Sequence, residues 1–323
     1  METAWEQCLD DFLRAMAVRS QDTSASYGGT LRRFFAHYAP EKVTRRDVEA
    51  FAYAHHARGA PAIGTINVRL SAIASFYKYA STYVPEGETE PLWKLANPAT
   101  GIRHGTPERS YQTLSYEEFE RFFEVIPRDT VMGLRDRAIF LTYFWTARRR
   151  SEIARLTWGD IERAMIIEAD GARRMGWIYT FRSKGHGRED DVAELPAPAM
   201  EAIGRYLVAE GRQATIKPQD PLFLAIGREH GGNVRPGEVR RLSVRGIVNR
   251  LKVYAARAGL DFSLHVFRHT AARQRYEAGE GVVEIQRLLR HTSLDHTYRY
   301  LTTMAGTSDS GAKLLENKFG RFS

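Results

Sequence analysis

Four short groups of residues carry most of the chemistry in this sequence. The first is Thr146-Ala147-Arg148-Arg149-Arg150-Ser151-Glu152, where three consecutive arginines join the end of one helical stretch to the start of the next. Ser151 is placed to cap the second stretch, and a helix start favours anions. Phe140, Leu141, Phe144 and Trp145 before the arginines, and Ile153 and Leu156 after them, argue against a merely solvated basic turn. The second is Lys184, within Arg182-Ser183-Lys184-Gly185-His186-Gly187-Arg188, a glycine-punctuated hairpin tip. The third is His265-Val266-Phe267-Arg268-His269-Thr270; residues three apart share a helix face, so His265 and Arg268 point the same way. The fourth is Leu288-Leu289-Arg290-His291, followed by Tyr298 and Tyr300. Taken singly, each has a structural explanation: a basic turn, an exposed lysine, a helix-face pair, packed tyrosines.

The elements that must position these groups fall into two parts. Leu9, Phe12, Leu13 and Met16 recur at helical spacing. Thr23-Ser24-Ala25-Ser26 offers caps for a second helix carrying Tyr27, Leu31, Phe34 and Phe35. Thr44-Arg45-Arg46-Asp47 has capping-box form ahead of Val48, Phe51 and Ala52. Residues 62–79 predict a fourth helix, with Ile66, Leu70, Ile73, Phe76 and Tyr77 on one face. From Val84 to Arg109 the pattern gives way to turn chemistry, including Asn97-Pro98, which reads as an interdomain linker. Beyond it, helices are predicted from about Ser115, over about 133–145 and over 151–156. Short strands follow near 166–168, 176–181 and 192–196, the last two flanking Lys184. The remainder reads as helical, broken at Gly231-Gly232-Asn233.

Length and composition set the frame. A chain of 323 residues is long enough for two domains with sizeable cores. The single cysteine, Cys8, rules out an intrachain disulfide framework and a cysteine-based zinc finger. Apolar runs such as 138–141 are too short to span a bilayer, and the first residues lack signal-peptide order, so a cytoplasmic, reduced protein is expected. The net charge of +8 fits a polyanionic partner, nucleic acid being the commonest. Residues 1–105 hold 12 basic and 11 acidic side chains, and residues 106–323 hold 35 and 28, so the surplus lies with the four groups above. Most of the basic residues are arginine, whose planar fork suits phosphate. No Gly-x4-Gly-Lys-Ser/Thr phosphate loop occurs. His55-His56 and His265/His269 lack the companions of a metal ligand set, so no cofactor and no metal are expected.

The order and spacing of the four groups decide between these readings. Thr-x-x-Arg-x-Ser-Glu, a hairpin Lys, His-x-x-Arg-His-Thr and Leu-Leu-x-His-x8-Tyr together resemble the tyrosine recombinase family, which includes phage integrases, Xer-type resolvases and transposon integrases. The likeness covers nearly the whole chain. It takes in Arg135-Asp136-Arg137-Ala138, the 156–161 run, Ile66-Asn67 with Leu70, Ser71 and Ile73, and Asn97-Pro98. It implies a mainly α fold with a small β-sheet in the catalytic domain, in a two-domain architecture. Residues 1–84 would be a helical core-binding (SAM-like) bundle, 85–109 a linker, and 110–323 a mixed α+β catalytic domain with a C-terminal tail.

Position by position, the resemblance assigns Arg149, Lys184, His265, Arg268, His291 and Tyr300 to the catalytic set, with Glu152 as the acidic neighbour of the first arginine. The chain departs from the pattern in places. Ala147 and Arg290 stand where glycine is usual. Arg148 and Arg150 replace apolar neighbours, so either could take the place of Arg149. Tyr298 would point roughly 200° from Tyr300 on a helix and cannot readily substitute for it. The implied reaction is transesterification at a DNA phosphodiester. Tyr300 supplies the nucleophile, Arg149 and Arg268 hold the developing charge, and Lys184 protonates the leaving 5′-oxygen. His265 acts as base, His291 bonds a phosphate oxygen, and Glu152 orients Arg149 or His265.

The implied partners are double-stranded DNA recombination sites and further copies of the chain, as a tetramer on two sites, without ATP, metal or membrane. The amphipathic tail over 312–319 would pack on a neighbouring subunit or fold back on its own domain. No arm-binding segment is apparent before the helical part, which leans towards Xer-like or transposon-borne recombinases. Two rivals stand beside recombination: relaxation of DNA by a type IB topoisomerase, and a non-catalytic DNA-binding regulator on the same scaffold.

Overall fold

In the computed structural model, the described residues are 3–55, 59–102, 105, 112–167, 171–182, 190–229, 232–233 and 238–290. They divide into two units, Met1–Arg109 and Ser110–Ser323.

The first unit is built on α1 (Ala4–Arg19), α2 (Gln21–Phe35), α3 (Arg45–Tyr53) and α4 (Ile63–Ala80). Side-chain caps set the starts. Thr3 and Glu6 form a capping box on α1, and Thr44 and Asp47 form the one anticipated on α3. The second helix begins earlier than its Thr-Ser run suggested, because Ser20 accepts from the Thr23 N–H and caps it. Helix α3 has no basic residue in its last turn. Arg69 of α4 supplies the missing cation, with Nη1 lying 3.0–3.2 Å from the carbonyls of Phe51, Ala52 and Ala54. The core joins Phe12, Leu31, Phe34, Leu70, Ile73, Phe76 and Tyr77. Part of the expected linker belongs to this core: Trp93, Ala99 and Ile102 are buried in it, and Trp93 packs edge-on against Tyr77 at 4.7 Å. Turn-rich composition signalled an irregular backbone there, and the apolar side chains within it still found a core.

The second unit contains α5 (Tyr116–Glu124), α6 (Val131–Thr146), α7 (Arg150–Arg155), α8 (Ala197–Glu210), α9 (Val244–Arg257), α10 (Leu264–Glu277) and α11 (Val282–Leu289). Strands β1 (Ile161–Ile167), β2 (Arg173–Arg182) and β3 (Asp190–Glu194) form one antiparallel sheet in that order. Ile161 pairs with Tyr179 and Arg182 with Asp190. A second, two-stranded ladder pairs β4 (Arg228–Glu229) with β5 (Gly232–Asn233) where the sequence suggested only a loop. The fold is thus mainly helical with a small sheet.

Phe122, Phe140, Tyr254, Phe262 and Phe267 meet in the middle of this unit. Beside them Arg135 and Asp136 are fully buried. A charge pair survives there because its hydrogen bonds are met. Arg135 donates to Asp136 and, at 2.7 Å, to the Leu224 carbonyl. Asp136 also accepts from Arg250 at 2.7 Å and from the Tyr254 hydroxyl at 2.8 Å. Among the described residues no helix is long and apolar enough to cross a membrane.

Candidate active site

Helix α6 carries the chain to Thr146 and ends at Ala147, a C-cap in the left-handed region with φ 48° and ψ 29°. That turn sends the three arginines in different directions. Arg148 is buried, its guanidinium over the Tyr179 ring at 5.5 Å and its Nε donating to the Tyr179 hydroxyl. Burial raises the Tyr179 pKa and the Arg148 charge opposes the rise. Arg149 keeps 41% of its side chain exposed, with Nη1 3.3 Å from Glu152 Oε1. Arg150 is exposed as the first residue of α7. The cap of α7 is Arg149 and not Ser151, because the Arg149 N–H donates to Glu152 Oε2 at 3.0 Å. Glu152 therefore holds both the backbone and the guanidinium of Arg149.

Helix α10 brings the second arginine to the same place. Arg268 is buried, and Nη1 donates to the Ala147 carbonyl at 2.6 Å while Nη2 donates to the Leu289 carbonyl. Leu289 closes α11, whose C-cap Arg290 is again left-handed, with φ 52°. Ala147, Ala271, Ala272, Ile285 and Leu289 form a small core around this junction. The small side chains of α10 let the ends of α6 and α11 approach closely enough for one guanidinium to bridge them. Thr270 secures α10 at its other side, accepting from the Leu114 N–H at 2.9 Å.

His265 lies one turn before Arg268 and is exposed. Its pKa is lowered below the ordinary histidine value, first by the packing around it and then by Arg268, Arg150 and Arg149. The same three arginines and Glu152 act on Tyr143 of α6, whose hydroxyl burial pushes up to about 12. The structure therefore gathers Arg149, His265, Arg268 and Glu152 in one electropositive cluster. Lys184, His291 and Tyr300 lie outside the described residues; Arg182 and Asp190, which flank the Lys184 segment, are paired across β2 and β3.

Sequence reasoning missed two participants. Tyr179 drew attention only as a strand residue, although it takes Arg148 out of contention for the Arg149 position. Arg290 was noted only as a departure from glycine. Its Nη1 is 3.9 Å from Glu152 Oε1, and burial and Arg148 lower its pKa. Both line a cavity of about 840 Å³ with Arg148, Arg275 and Arg287. Among the described residues no group of three or more metal-ligating side chains converges.

Comparison with known proteins agrees with this geometry. Residues 112–305 match the phage integrase family, and residues 9–82 match the phage integrase N-terminal SAM-like domain. The chain is 29% identical to tyrosine recombinase XerA of Pyrococcus furiosus over 99% of its own length and 98% of that protein. It is 27% identical to tyrosine recombinase XerC of Xylella fastidiosa over 90% of both. Its fold is similar to that of a lambda integrase tetramer bound to a Holliday junction, with a TM-score of 0.62 and 15% identity over 94% of this chain and 79% of that one. A helical bundle followed by a catalytic unit that matches over more than half of the chain leaves one assignment: this protein belongs to the phage integrase family and is a tyrosine recombinase.

Proposed function

We propose that the protein cuts and rejoins DNA at specific sites through a covalent 3′-phosphotyrosine. The observation that carries this reading is the bridged Arg268 guanidinium set beside Arg149 and His265. Two always-charged planar forks are suited to the non-bridging oxygens of a phosphodiester as charge builds on them. Arg268 is fixed by backbone carbonyls and Arg149 by Glu152, so little reorganisation accompanies the reaction.

In the proposed step the Tyr300 oxygen attacks phosphorus, the bond from phosphorus to the 5′-oxygen breaks, and the 5′-hydroxyl leaves. The phenol proton passes to His265, whose lowered pKa keeps the imidazole neutral and able to accept it. Lys184 protonates the leaving oxygen, and His291 bonds a phosphate oxygen. The bond energy stays in the phosphotyrosine, so the 5′-hydroxyl of another strand can reverse the step without ATP. Strand exchange then needs two sites and four protomers. The tetramer on a Holliday junction formed by lambda integrase, whose fold this chain shares, supports that assembly.

The test uses duplexes selected for binding to the protein and then nicked beside the cleavage point, so that the released 5′ fragment diffuses away. A trapped protein–DNA adduct that resists denaturant is the expected product. A two-site plasmid substrate then separates recombination from simple relaxation.

A further inference from the structure

Arg150 takes no chemical step in the reaction above, its charge acting there only through His265, and it stands where the family resemblance leads one to expect an apolar side chain. It lines a cavity of about 410 Å³ with Lys252 of α9, Gln112, Asp261, Ser263 and His265, over an apolar floor that includes Leu251 and Phe262. Arg150 and Lys252 are both exposed, and neither is ion-paired among the described residues. Asp261 is the one carboxylate among the lining residues. Its backbone carbonyl accepts from Gln112 Nε2 at 3.2 Å. Two cations against one carboxylate leave the cavity net positive.

Its position defines the ligand. His265 borders both this cavity and the catalytic cluster, and Arg150 is the residue next to Arg149 in the chain. His265 lines this cavity and also feels the charges of Arg149 and Arg268, so a strand whose scissile phosphate lies at those two arginines runs past His265 and brings a neighbouring phosphate to the cavity that Arg150 and Lys252 line. We propose that Arg150 and Lys252 form a second phosphate subsite, which takes the phosphodiester adjacent to the scissile one and fixes the register of the strand. The inference rests on the DNA-cleaving reading above. It adds a contact that positions the backbone and reads no base.

The full chain is titrated with salt against a labelled duplex selected for binding to the protein, as in the cleavage test above. R150Q/K252Q is compared with wild type and with R128Q/R205Q, which removes the same two charges from a separate cavity between α6 and α8. All four positions are surface side chains or pocket rims, and thermal melts check that both variants fold. For R150Q/K252Q the slope of log affinity against log salt falls by about 1, the loss of one phosphate contact. R128Q/R205Q keeps the wild-type slope. Equal slopes for R150Q/K252Q and wild type overturn the subsite and leave the DNA reading standing. Equal losses in the two double variants also overturn it, because bulk charge then accounts for the effect. If wild type binds no duplex at all, the DNA reading and the subsite fall together.

Discussion

Arg268 donates from Nη1 to the carbonyl oxygen of Ala147 at 2.6 Å, across 121 residues of chain. The bond ties the helix that delivers the first arginine to the helix that carries the second. Its partner bond, to Leu289, brings in the helix that leads to His291. The left-handed residues of the described chain other than glycine, Ala147 and Arg290, lie one on each side of this guanidinium. The backbone strain of the unit is thus concentrated around its charge centre.

Replacing Arg268 by alanine removes a charge donor and leaves two carbonyls without it. Covalent cleavage is expected to fall at least 10²–10³-fold, the typical loss for one oxyanion-stabilising donor. Stability falls by about 1–3 kcal/mol for the buried acceptors. Arg149→Ala is expected to lose cleavage on the same scale with a smaller change in melting temperature, since its side chain is 41% exposed. Cleavage assays and thermal melts on both variants check the split.

Ala147→Gly relieves a left-handed alanine, a conformation that costs non-glycine residues roughly 1–2 kcal/mol. The lost buried methyl offsets part of that gain. A net stabilisation of up to about 1 kcal/mol is expected by denaturant titration, and a clear loss of stability would contradict the strain.

Asp136 is fully buried and receives hydrogen bonds from Arg135, Arg250 and Tyr254. Asp136→Ala leaves the Arg135 charge buried without its carboxylate, and a loss of about 3–5 kcal/mol is expected. Arg135-Asp136 was legible in the sequence only as part of a family-like run; its role as the polar centre of the core needed the tertiary partners Leu224 and Tyr254.

As the proposed base, His265 is expected to govern the acid side of the pH profile. Its pKa is lowered, so the neutral form persists below the ordinary value near 6.5. As pH falls, the unfolded chain takes up this proton first, so the associated stability is lost below that value. Cleavage by the proposed base is expected to decline only as pH drops through the lowered pKa. Arg150→Gln removes one of the charges that depress it. The acid limb of the rate profile should therefore move to higher pH; an unmoved limb would assign it to another group.

Much of this was readable from residues because local signals and tertiary needs agreed. The capping box at Thr44, the apolar stripe of α4 and the β2–β3 pair all form where periodicity and caps placed them. What escaped was set by partners distant in sequence. Ser151 looked like a cap until Glu152 took the Arg149 N–H. The run at 148–150 offered three candidates, and only the fold separates them: Arg148 is taken up by Tyr179, Arg150 turns to a second cavity, and Arg149 is left over Glu152. Trp93 and Ile102 joined a core although their segment carries loop composition.

The central claim is tested most directly by denaturing electrophoresis of the protein after incubation with a nicked duplex. Wild type is expected to give a shifted, covalent protein–DNA band. Tyr300→Phe is expected to give none while binding the same duplex with unchanged affinity. A covalent band from the Tyr300→Phe protein would contradict the account.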